Sequence, residues 1–162
     1  MFEFKPNSDI KKNYKLLQSA IDSHLEDEDN LIANLANIAS FIYTALPEVN
    51  WAGFYLVEGK TLVLGPFCGK PACVRIPFGT GVCGTAAEKG ETIVVPDVHK
   101  FEGHIACDGE TNSEIVLPVF KGGEVFGVLD VDSTAFDRFL QDDLEGLSKI
   151  ADSISRYLER LA

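Results

Sequence analysis

Three segments of the chain repeat apolar residues every three or four positions, which is the spacing of one face of an α-helix. The first runs from Asp9 to Leu25, and the second runs from Leu31 to Leu46, where Pro47 ends it. The third runs from Leu140 to Leu161. These patterns predict two packed helices near the start of the chain and one long helix at its end.

Between these helices the pattern changes to short runs rich in β-branched and aromatic residues, separated by Gly and Pro, which is typical of strands. The runs cover residues 51–57, 61–64, 72–76 and 92–95. A glycine-rich stretch that starts at Gly79 predicts a turn into a short helix, which ends at Gly90.

The clearest hairpin joins residues 114–120 to residues 124–132 through Gly122-Gly123. Pro118 has no backbone N–H to donate, so we expect a sheet edge or a bulge there. The order of helices and strands predicts an α+β fold, with the helices covering one face of a mainly antiparallel sheet. The 162 residues contain no linker or internal repeat, so we expect one domain over residues 1–162.

Residues 96–112 follow neither the helix period nor the strand period. Irregular loops longer than about 12–15 residues are usually functional or disordered in compact domains. This loop contains Cys107 and two histidines, His99 and His104. With Asp97 and Asp108 the histidines could form a metal cluster, although a hydrated surface loop explains them as well.

Charge and hydropathy narrow the possible partners. The chain has 14 Lys and Arg against 25 Asp and Glu, a net charge of −11, which argues against binding to nucleic acid or to anionic lipid. No stretch reaches the ~18 apolar residues that a membrane-spanning helix needs. The first residues also lack the basic and apolar regions of an export signal. We therefore expect a cytoplasmic protein without a membrane or nucleic-acid partner.

The four cysteines are the most informative residues for chemistry, because paired thiols in the reducing cytosol suggest catalysis, redox sensing or metal binding. They lie at positions 68, 73, 83 and 107, and no two form a Cys-x-x-Cys pair. This spacing disfavours a thioredoxin-type motif, but it leaves a four-thiolate zinc site as an alternative. Cys68, in an apolar turn, is expected to be a small buried residue.

Two of these cysteines are candidate nucleophiles. Cys83 lies near the predicted N-terminus of the short helix, where partial positive charge lowers a thiol pKa. Cys107 follows His104 by three residues, and a protonated imidazole would have the same effect. The residues alone do not decide between them. Cys73 begins or precedes a strand and suits a resolving thiol, provided that another cysteine comes within the ~7 Å Cα separation that a disulfide tolerates.

Carboxylates and aromatic rings on the predicted strands indicate a small-molecule pocket. Side chains alternate along a strand, so Asp130 and Asp132 share one face, as do Trp51 and Tyr55. Aromatic rings beside carboxylates suit a small ligand that carries an ammonium group. The alternatives are ordinary core packing for the rings and a solvated strand end for the aspartates.

Three segments of the sequence resemble the free methionine-(R)-sulfoxide reductases, a family of single GAF-type domains that act on the free amino acid. These segments are GPFCGKPACVRIPFGTGVCGTAA at 65–87, DVHKFEGHIACDGETNSEIVLPV at 97–119 and GVLDVDST at 127–134. They occur in this order, and the resemblance covers nearly the whole chain. It implies a single GAF-like catalytic domain with a mainly antiparallel central sheet, on which the N-terminal and C-terminal helices pack.

The resemblance also implies a role for each candidate residue. Cys107, in HIACD, would attack the sulfoxide sulfur, Cys73 would resolve the product, and Cys83 would assist or reshuffle a disulfide. The residues implied to bind the substrate, with the carboxylates also taking part in proton transfer, are Trp51, Tyr55, Glu114, Asp130 and Asp132.

The implied reaction is the thioredoxin-dependent reduction of free L-methionine-(R)-S-oxide to methionine, a repair reaction of oxidative stress. Cys107 would be left as a sulfenic acid, which condenses with a second thiol to form a disulfide that an external dithiol reduces. We expect no metal and no bound cofactor, NADPH upstream of thioredoxin, and a homodimer. The alternatives are a GAF-type small-molecule or redox sensor without turnover, and a zinc-stabilised or purely structural domain.

Overall fold

The computed structural model of the protein describes residues 4, 5 and 7–162, so residues 1–3 and 6 of the predicted 1–162 domain lie outside the described residues. Six strands form one sheet in the order β3-β2-β1-β6-β5-β4, and each neighbouring pair is antiparallel. This confirms the predicted antiparallel sheet. The strands are β1 (Val49–Glu58), β2 (Thr61–Gly69), β3 (Arg75–Pro77), β4 (Ile93–Val95), β5 (Ser113–Lys121) and β6 (Glu124–Ser133).

Four helices cover the sheet, and the expectation that the N-terminal and C-terminal helices cover one face is confirmed. The first, second and fourth pack on one face, while the third packs on the other with its own small core. The bounds agree with the sequence pattern to within about two residues at each end. The helices are α1 (Ile10–Asp27), α2 (Leu31–Ala45), α3 (Gly81–Lys89) and α4 (Gln141–Arg160).

The alternation of side chains along the central strands divides the interior into two cores. On β1, Ala52 and Phe54 pack against the layer of α1, α2 and α4. Trp51 and Tyr55, on the same strand, face the smaller core under α3. The predicted shared face of these two rings is therefore confirmed, and the candidate residues belong to the smaller core.

The buried side chain of Asp143 links α1 to α4 through hydrogen bonds. Asp143 Oδ1 accepts hydrogen bonds from Tyr14 Oη at 2.7 Å and from Arg138 Nη1 at 3.0 Å. Asp143 Oδ2 accepts the backbone N–H of Leu140 at 3.0 Å, which satisfies a free donor at the start of α4. Tyr14 also lies against Gly146, where an added Cβ would come 2.3 Å from the ring. The two helices can approach this closely only because residue 146 has no side chain.

The structure adds detail to two of the predicted strands, β2 and β5. β2 is longer than the pattern indicated, because it continues through Pro66 to Gly69. β4 pairs only with Glu114–Val116 of β5, so Pro118 lies where that side of β5 has no partner strand, and the expected edge position is confirmed. None of the helices in the described part of the chain has the length and apolar character needed to span a membrane.

Candidate active site

A pocket opens on the α3 side of the sheet, bounded by β1, β5, β6, the start of α3, the β2–β3 connection and the 96–112 loop. Seven of the eight site residues predicted from the sequence line this pocket. The eighth, Cys73, is bonded to Cys107, which is one of the seven. The structure therefore brings the whole predicted set together.

Strand register aligns three of these residues in one row across the sheet. Asp132 of β6 pairs with Glu114 of β5 on one side. It pairs with Trp51 of β1 on the other side. Paired residues of neighbouring strands point to the same face. Two carboxyl groups and an aromatic ring therefore lie side by side, although they come from three distant parts of the sequence.

The aromatic wall of the pocket is also part of the core, so both interpretations of these rings hold. Trp51 and Tyr55 are each 2% exposed, and their ring centroids lie 5.9 Å apart at an interplanar angle of 23°. Trp51 Nε1 donates a hydrogen bond to the carbonyl oxygen of Lys70 at 3.1 Å. Tyr55 Oη donates to the carbonyl oxygen of Cys73 at 2.9 Å. The wall therefore also holds the backbone of the β2–β3 connection.

A disulfide joins Cys73, just before β3, to Cys107 in the 96–112 loop. Their Cα atoms are 5.8 Å apart, which meets the distance condition set for a resolving pair. The loop contains one short 3₁₀ turn, Val98–Lys100. A hydrogen bond from Val98 N to Asn112 O, at 3.0 Å, joins the two ends of the loop. Cys107 is exposed, and Cys73 is half-buried.

Glu114 and Asp130, at the base of the pocket, are buried and Asp132 is half-buried, so the alternative of a solvated strand end is wrong for Asp130. Glu114 and Asp130 are 6% and 5% exposed. Burial, reinforced by the charge of Asp132, raises the pKa of Glu114 to about 8. Burial also raises the pKa of Asp130 and Asp132 well above the usual range. Glu114 therefore holds a proton at neutral pH, and the raised pKa values of the two aspartates favour their protonated forms.

Two oxygen atoms of this cluster have no hydrogen-bond partner in the described part of the chain. They are Asp130 Oδ1 and Asp132 Oδ1, and both are inaccessible to solvent. Buried polar atoms are normally satisfied, and an orphaned acceptor costs about 1–3 kcal/mol. The pocket is therefore complementary to a ligand that brings positive charge or hydrogen-bond donors.

Cys83 lies against these carboxyl groups, and the expectation of an activated thiol there is wrong. Its Sγ donates to Glu114 Oε1 at 3.8 Å. Burial, followed by the charges of Asp130 and Glu114, raises the pKa of this thiol well above its usual range. Although Cys83 is in the first turn of α3, desolvation and the nearby carboxylates outweigh the partial positive charge of the helix N-terminus.

The two histidines of the loop have separate environments. His104 Nε2 lies 3.7 Å from Glu114 Oε2, and burial lowers the pKa of its imidazole. The structure therefore does not favour activation of Cys107 by a protonated His104. His99 Nδ1 contacts Asp97 Oδ1 at 2.8 Å near the surface.

The His–Asp metal cluster that the loop residues could have formed is not found within residues 4, 5 and 7–162. Asp108, one of its expected members, instead accepts a hydrogen bond from Asn50 Nδ2 at 3.2 Å. Three other residues have ligand atoms close enough to share a metal ion, namely Cys83, Glu114 and Asp130.

Cys68 lies outside the pocket. It is in β2, not in the expected turn, and it is half-buried. Its neighbour Phe67 stacks on Trp51 with ring centroids 5.2 Å apart, so the alternation of the strand directs Cys68 to the opposite face. There it lines a surface depression with Tyr43, and this depression shares Lys70 and Asp108 with the pocket. Cys68 is a free thiol and takes no part in the Cys73–Cys107 disulfide.

Lys70 is a pocket residue that the sequence reasoning missed. Its Nζ lies 2.7 Å from Glu110 Oε2 and 3.9 Å from Asp108 Oδ1. Histidine aside, it is the one basic side chain among the described residues that line the pocket. The irregular β2–β3 connection has no periodicity that marks it. The sequence feature that could have identified Lys70 is its position three residues before Cys73, in GKPAC.

The chain has close similarity to known proteins over nearly all its length. The sequence profile of the GAF domain family matches residues 30–158. Protein YtsP of Bacillus subtilis is 49% identical over 156 residues, 95% of this chain and 96% of that protein. The free methionine-R-sulfoxide reductase of Escherichia coli is 48% identical over 145 residues, 90% of this chain and 88% of the relative. The X-ray structure of free methionine-R-sulfoxide reductase from Neisseria meningitidis in complex with its substrate superposes with a TM-score of 0.93 at 42% identity, and the match covers 98% of this chain and 95% of that one.

Proposed function

The chain belongs to the free methionine-R-sulfoxide reductases of the GAF domain family, and we propose that it reduces free methionine-(R)-sulfoxide to methionine. One observation carries the proposal. A disulfide between Cys73 and Cys107 adjoins a pocket that has buried carboxyl groups at its base. A redox-active thiol pair beside groups that can donate protons is the minimum that sulfoxide reduction requires.

The pocket suits a small zwitterion. The ammonium group of the substrate would supply the donors that Asp130 Oδ1 and Asp132 Oδ1 lack. The methylene groups and the S-methyl group would pack against the rings of Trp51 and Tyr55. Lys70 is the basic side chain that could pair with the α-carboxylate, and a peptide bond would remove that charge. This arrangement would favour the free amino acid over a methionine sulfoxide residue within a protein.

The chemistry takes place in two steps. The Cys107 thiolate attacks the sulfoxide sulfur, the S–O bond breaks, and the oxygen is transferred to Cys107 as a sulfenic acid while methionine leaves. The Cys73 thiol then attacks the sulfenic sulfur, water leaves, and the Cys73–Cys107 disulfide forms. The sum is one sulfoxide and two thiols giving one thioether, one disulfide and one water, so no net proton is consumed.

Glu114 is our choice for the acid that protonates the sulfoxide oxygen. Its pKa of about 8 keeps the carboxyl group protonated at neutral pH and still allows it to exchange that proton with its surroundings. One of the two aspartates would lose its proton when the substrate ammonium arrives, because an adjacent cation lowers a carboxyl pKa. His104, 3.7 Å from Glu114, is placed to return the proton after each cycle.

Turnover requires an external reductant. We propose that thioredoxin, reduced at the expense of NADPH, attacks the disulfide at the exposed Cys107. In this scheme the external dithiol supplies the electrons, and no bound cofactor takes part. A cytoplasmic location and a homodimer remain predictions from the sequence. The absence of a membrane-spanning helix in the described residues is compatible with the first.

The test is a coupled assay. Purified protein with thioredoxin, thioredoxin reductase and NADPH should oxidise NADPH only when free methionine-(R)-sulfoxide is present. The (S)-epimer and a peptide that contains methionine sulfoxide are the matched controls. Equal turnover with the peptide would contradict the proposed specificity. Binding of the free sulfoxide without any turnover would instead indicate a GAF-type sensor.

A further inference from the structure

Three potential metal ligands meet at the base of the pocket, on three different elements. They are Cys83 of α3, Glu114 of β5 and Asp130 of β6, each no more than 6% exposed. One ligand atom from each residue lies within 4.8 Å of the other two. Cys83 is not part of the disulfide, so this triad exists in the oxidised protein as well as in the reduced one.

The separations suit a zinc-sized ion. With Zn–S of about 2.3 Å and Zn–O of about 2.1 Å, tetrahedral coordination places an S···O pair about 3.6 Å apart. The distance from Cys83 Sγ to Glu114 Oε1 is 3.8 Å, which already meets this requirement. The widest separation in the triad, at most 4.8 Å, needs to close by about 1 Å, which is within the reach of a rotation of a carboxyl group.

A second observation points to a ligand at this position. Asp130 is 5% exposed, it lines the pocket, and its Oδ1 has no hydrogen-bond partner among the described residues. Such an oxygen can be satisfied by a donor group or by a cation. The substrate ammonium is one such partner, and a metal ion held also by Cys83 is another.

We propose that Cys83, Glu114 and Asp130 bind one thiophilic divalent cation, of which Zn²⁺ is the best match, and that this ion excludes the substrate. A thiolate selects Zn²⁺ over Mg²⁺ and Ca²⁺, which prefer oxygen ligands. The Zn–S and Zn–O bonds form as the Cys83 thiol and the carboxyl groups of Glu114 and Asp130 release their protons to solvent. Three protein ligands leave a fourth position, which faces the pocket and takes a water molecule.

Competition follows from the shared carboxyl groups. Asp130 cannot coordinate the ion and also accept a hydrogen bond from the substrate ammonium, and a Glu114 carboxylate bound to the ion has no proton to give to the sulfoxide oxygen. The ion is thus an inhibitor and takes no part in the reaction. This consequence rests on the proposed function, whereas the binding of the ion does not. The two can therefore be tested separately.

The binding test uses the oxidised full chain, in which the Cys73–Cys107 disulfide removes both thiols from metal binding. Co²⁺ serves as the spectroscopic probe, because a thiolate ligand gives a sulfur-to-cobalt charge-transfer band. We expect this band to saturate at one equivalent of Co²⁺ and to disappear when Zn²⁺ is added. No band in the oxidised wild type would overturn the proposal.

The variants assign the ligands. Cys83→Ser should abolish the band, and Asp130→Asn should weaken Zn²⁺ binding at least tenfold. Cys68→Ser is the matched control, because Cys68 is the other free thiol, and it should leave the band unchanged. A band that survives Cys83→Ser, or that is lost in Cys68→Ser, would overturn the assignment. If Cys83→Ser does not fold, Glu114→Gln, which should also weaken binding at least tenfold, provides the same test.

The competition test adds free methionine-(R)-sulfoxide to the cobalt complex of the oxidised protein. We expect the band to fall as the sulfoxide concentration rises. A band that is insensitive to saturating sulfoxide, in protein that is shown separately to bind the sulfoxide, would overturn the shared site. If the proposed function fails because the protein has no turnover, the band and its loss in Cys83→Ser are still expected.

Discussion

The hydroxyl group of Tyr55 donates a hydrogen bond to the main-chain carbonyl of Cys73, 2.9 Å away. One residue therefore contributes a ring to the pocket wall and also positions the backbone of a disulfide partner. Cys73 is in an irregular connection between two strands, so this hydrogen bond is one of the contacts that keep its thiol near Cys107 after reduction.

We expect Tyr55→Phe to separate the two chemical steps. The variant keeps the ring but loses a hydrogen bond that contributes about 0.5–1.5 kcal/mol. The rate of disulfide formation should therefore fall by about two- to tenfold, while the first release of methionine changes little. Rapid-quench single turnovers, with methionine and free thiols measured in the same samples, give both rates. Equal slowing of the two rates would show that the hydroxyl group acts on the substrate instead.

The two disulfide cysteines should have different single-turnover behaviour. We expect Cys107→Ser to release no methionine, because it lacks the attacking sulfur. Cys73→Ser should release one equivalent and then stop with a sulfenic acid, which a sulfenic-acid trapping reagent detects by mass spectrometry. Cys68→Ser, on the opposite face of the sheet, is the control and should turn over normally. One equivalent of methionine from Cys107→Ser would rule out its role as nucleophile.

We expect Lys70→Met to raise the KM for free methionine-(R)-sulfoxide about tenfold or more, with a small effect on kcat. A charged hydrogen bond to the α-carboxylate contributes about 1.5–3 kcal/mol, and this variant removes it. Lys60→Met is the control, because it removes the same charge from the exposed turn between β1 and β2, outside the pocket. Steady-state kinetics of both variants decide the question. An unchanged KM in Lys70→Met would show that another group, such as a backbone N–H, binds the carboxylate.

The buried carboxyl groups should make the oxidised protein less stable as the pH rises. The pKa of Glu114 increases from 4.5 to about 8 on folding, so the unfolded chain binds fewer protons between these values. Stability is therefore greatest below about pH 4.5 for this group and falls towards pH 8, by at most ~1.4 kcal/mol per pH unit. Urea unfolding from pH 5 to pH 8 measures the slope.

Glu114→Gln tests the origin of that slope. The variant removes one titrating group and keeps the shape, so its free energy of unfolding should decline less steeply with pH than that of the wild type. Part of the dependence of the free energy of unfolding on pH should remain in the variant, because the pKa values of Asp130 and Asp132 are also raised. Parallel slopes in the two proteins would contradict a protonated Glu114.

We expect Gly146→Ala to destabilise the protein by about 1–3 kcal/mol. Helix propensity alone favours Ala over Gly by about 1 kcal/mol, but the new Cβ would lie 2.3 Å from the Tyr14 ring. The overpacking therefore outweighs the gain in propensity. Thermal and urea denaturation of the oxidised protein measure the change. A more stable variant would show that α1 and α4 can separate at little cost.

The strand and helix assignments could largely be predicted, because they depend on local periodicity. The alternation along β1 placed Trp51 and Tyr55 on one face, and the structure has them there. The same argument put Asp130 and Asp132 on one face, but it could not say whether that face was buried. The row of Glu114, Asp132 and Trp51 depends on the register between strands that are far apart in sequence, and no single strand contains that information.

The electrostatic predictions failed where tertiary structure outweighs local position. Cys83 does lie at the start of a helix, yet burial, together with the carboxyl groups of two strands, raises its thiol pKa. His104 is three residues from Cys107, yet burial lowers its pKa. For Cys107 the family resemblance, rather than pKa reasoning, gave the assignment as nucleophile.

The strand order has a consequence for biosynthesis. The sheet consists of two halves, β1–β3 and β4–β6, and β1 joins β6 at its centre. Cys73 belongs to the first half, whereas Cys107 and the three carboxyl groups at the base of the pocket come from the second. A ribosome completes β6 only after about four-fifths of the chain has been made. An incomplete nascent chain therefore has thiols but no assembled acid cluster, and the ability to reduce a sulfoxide arises only when this last strand pairs with the first.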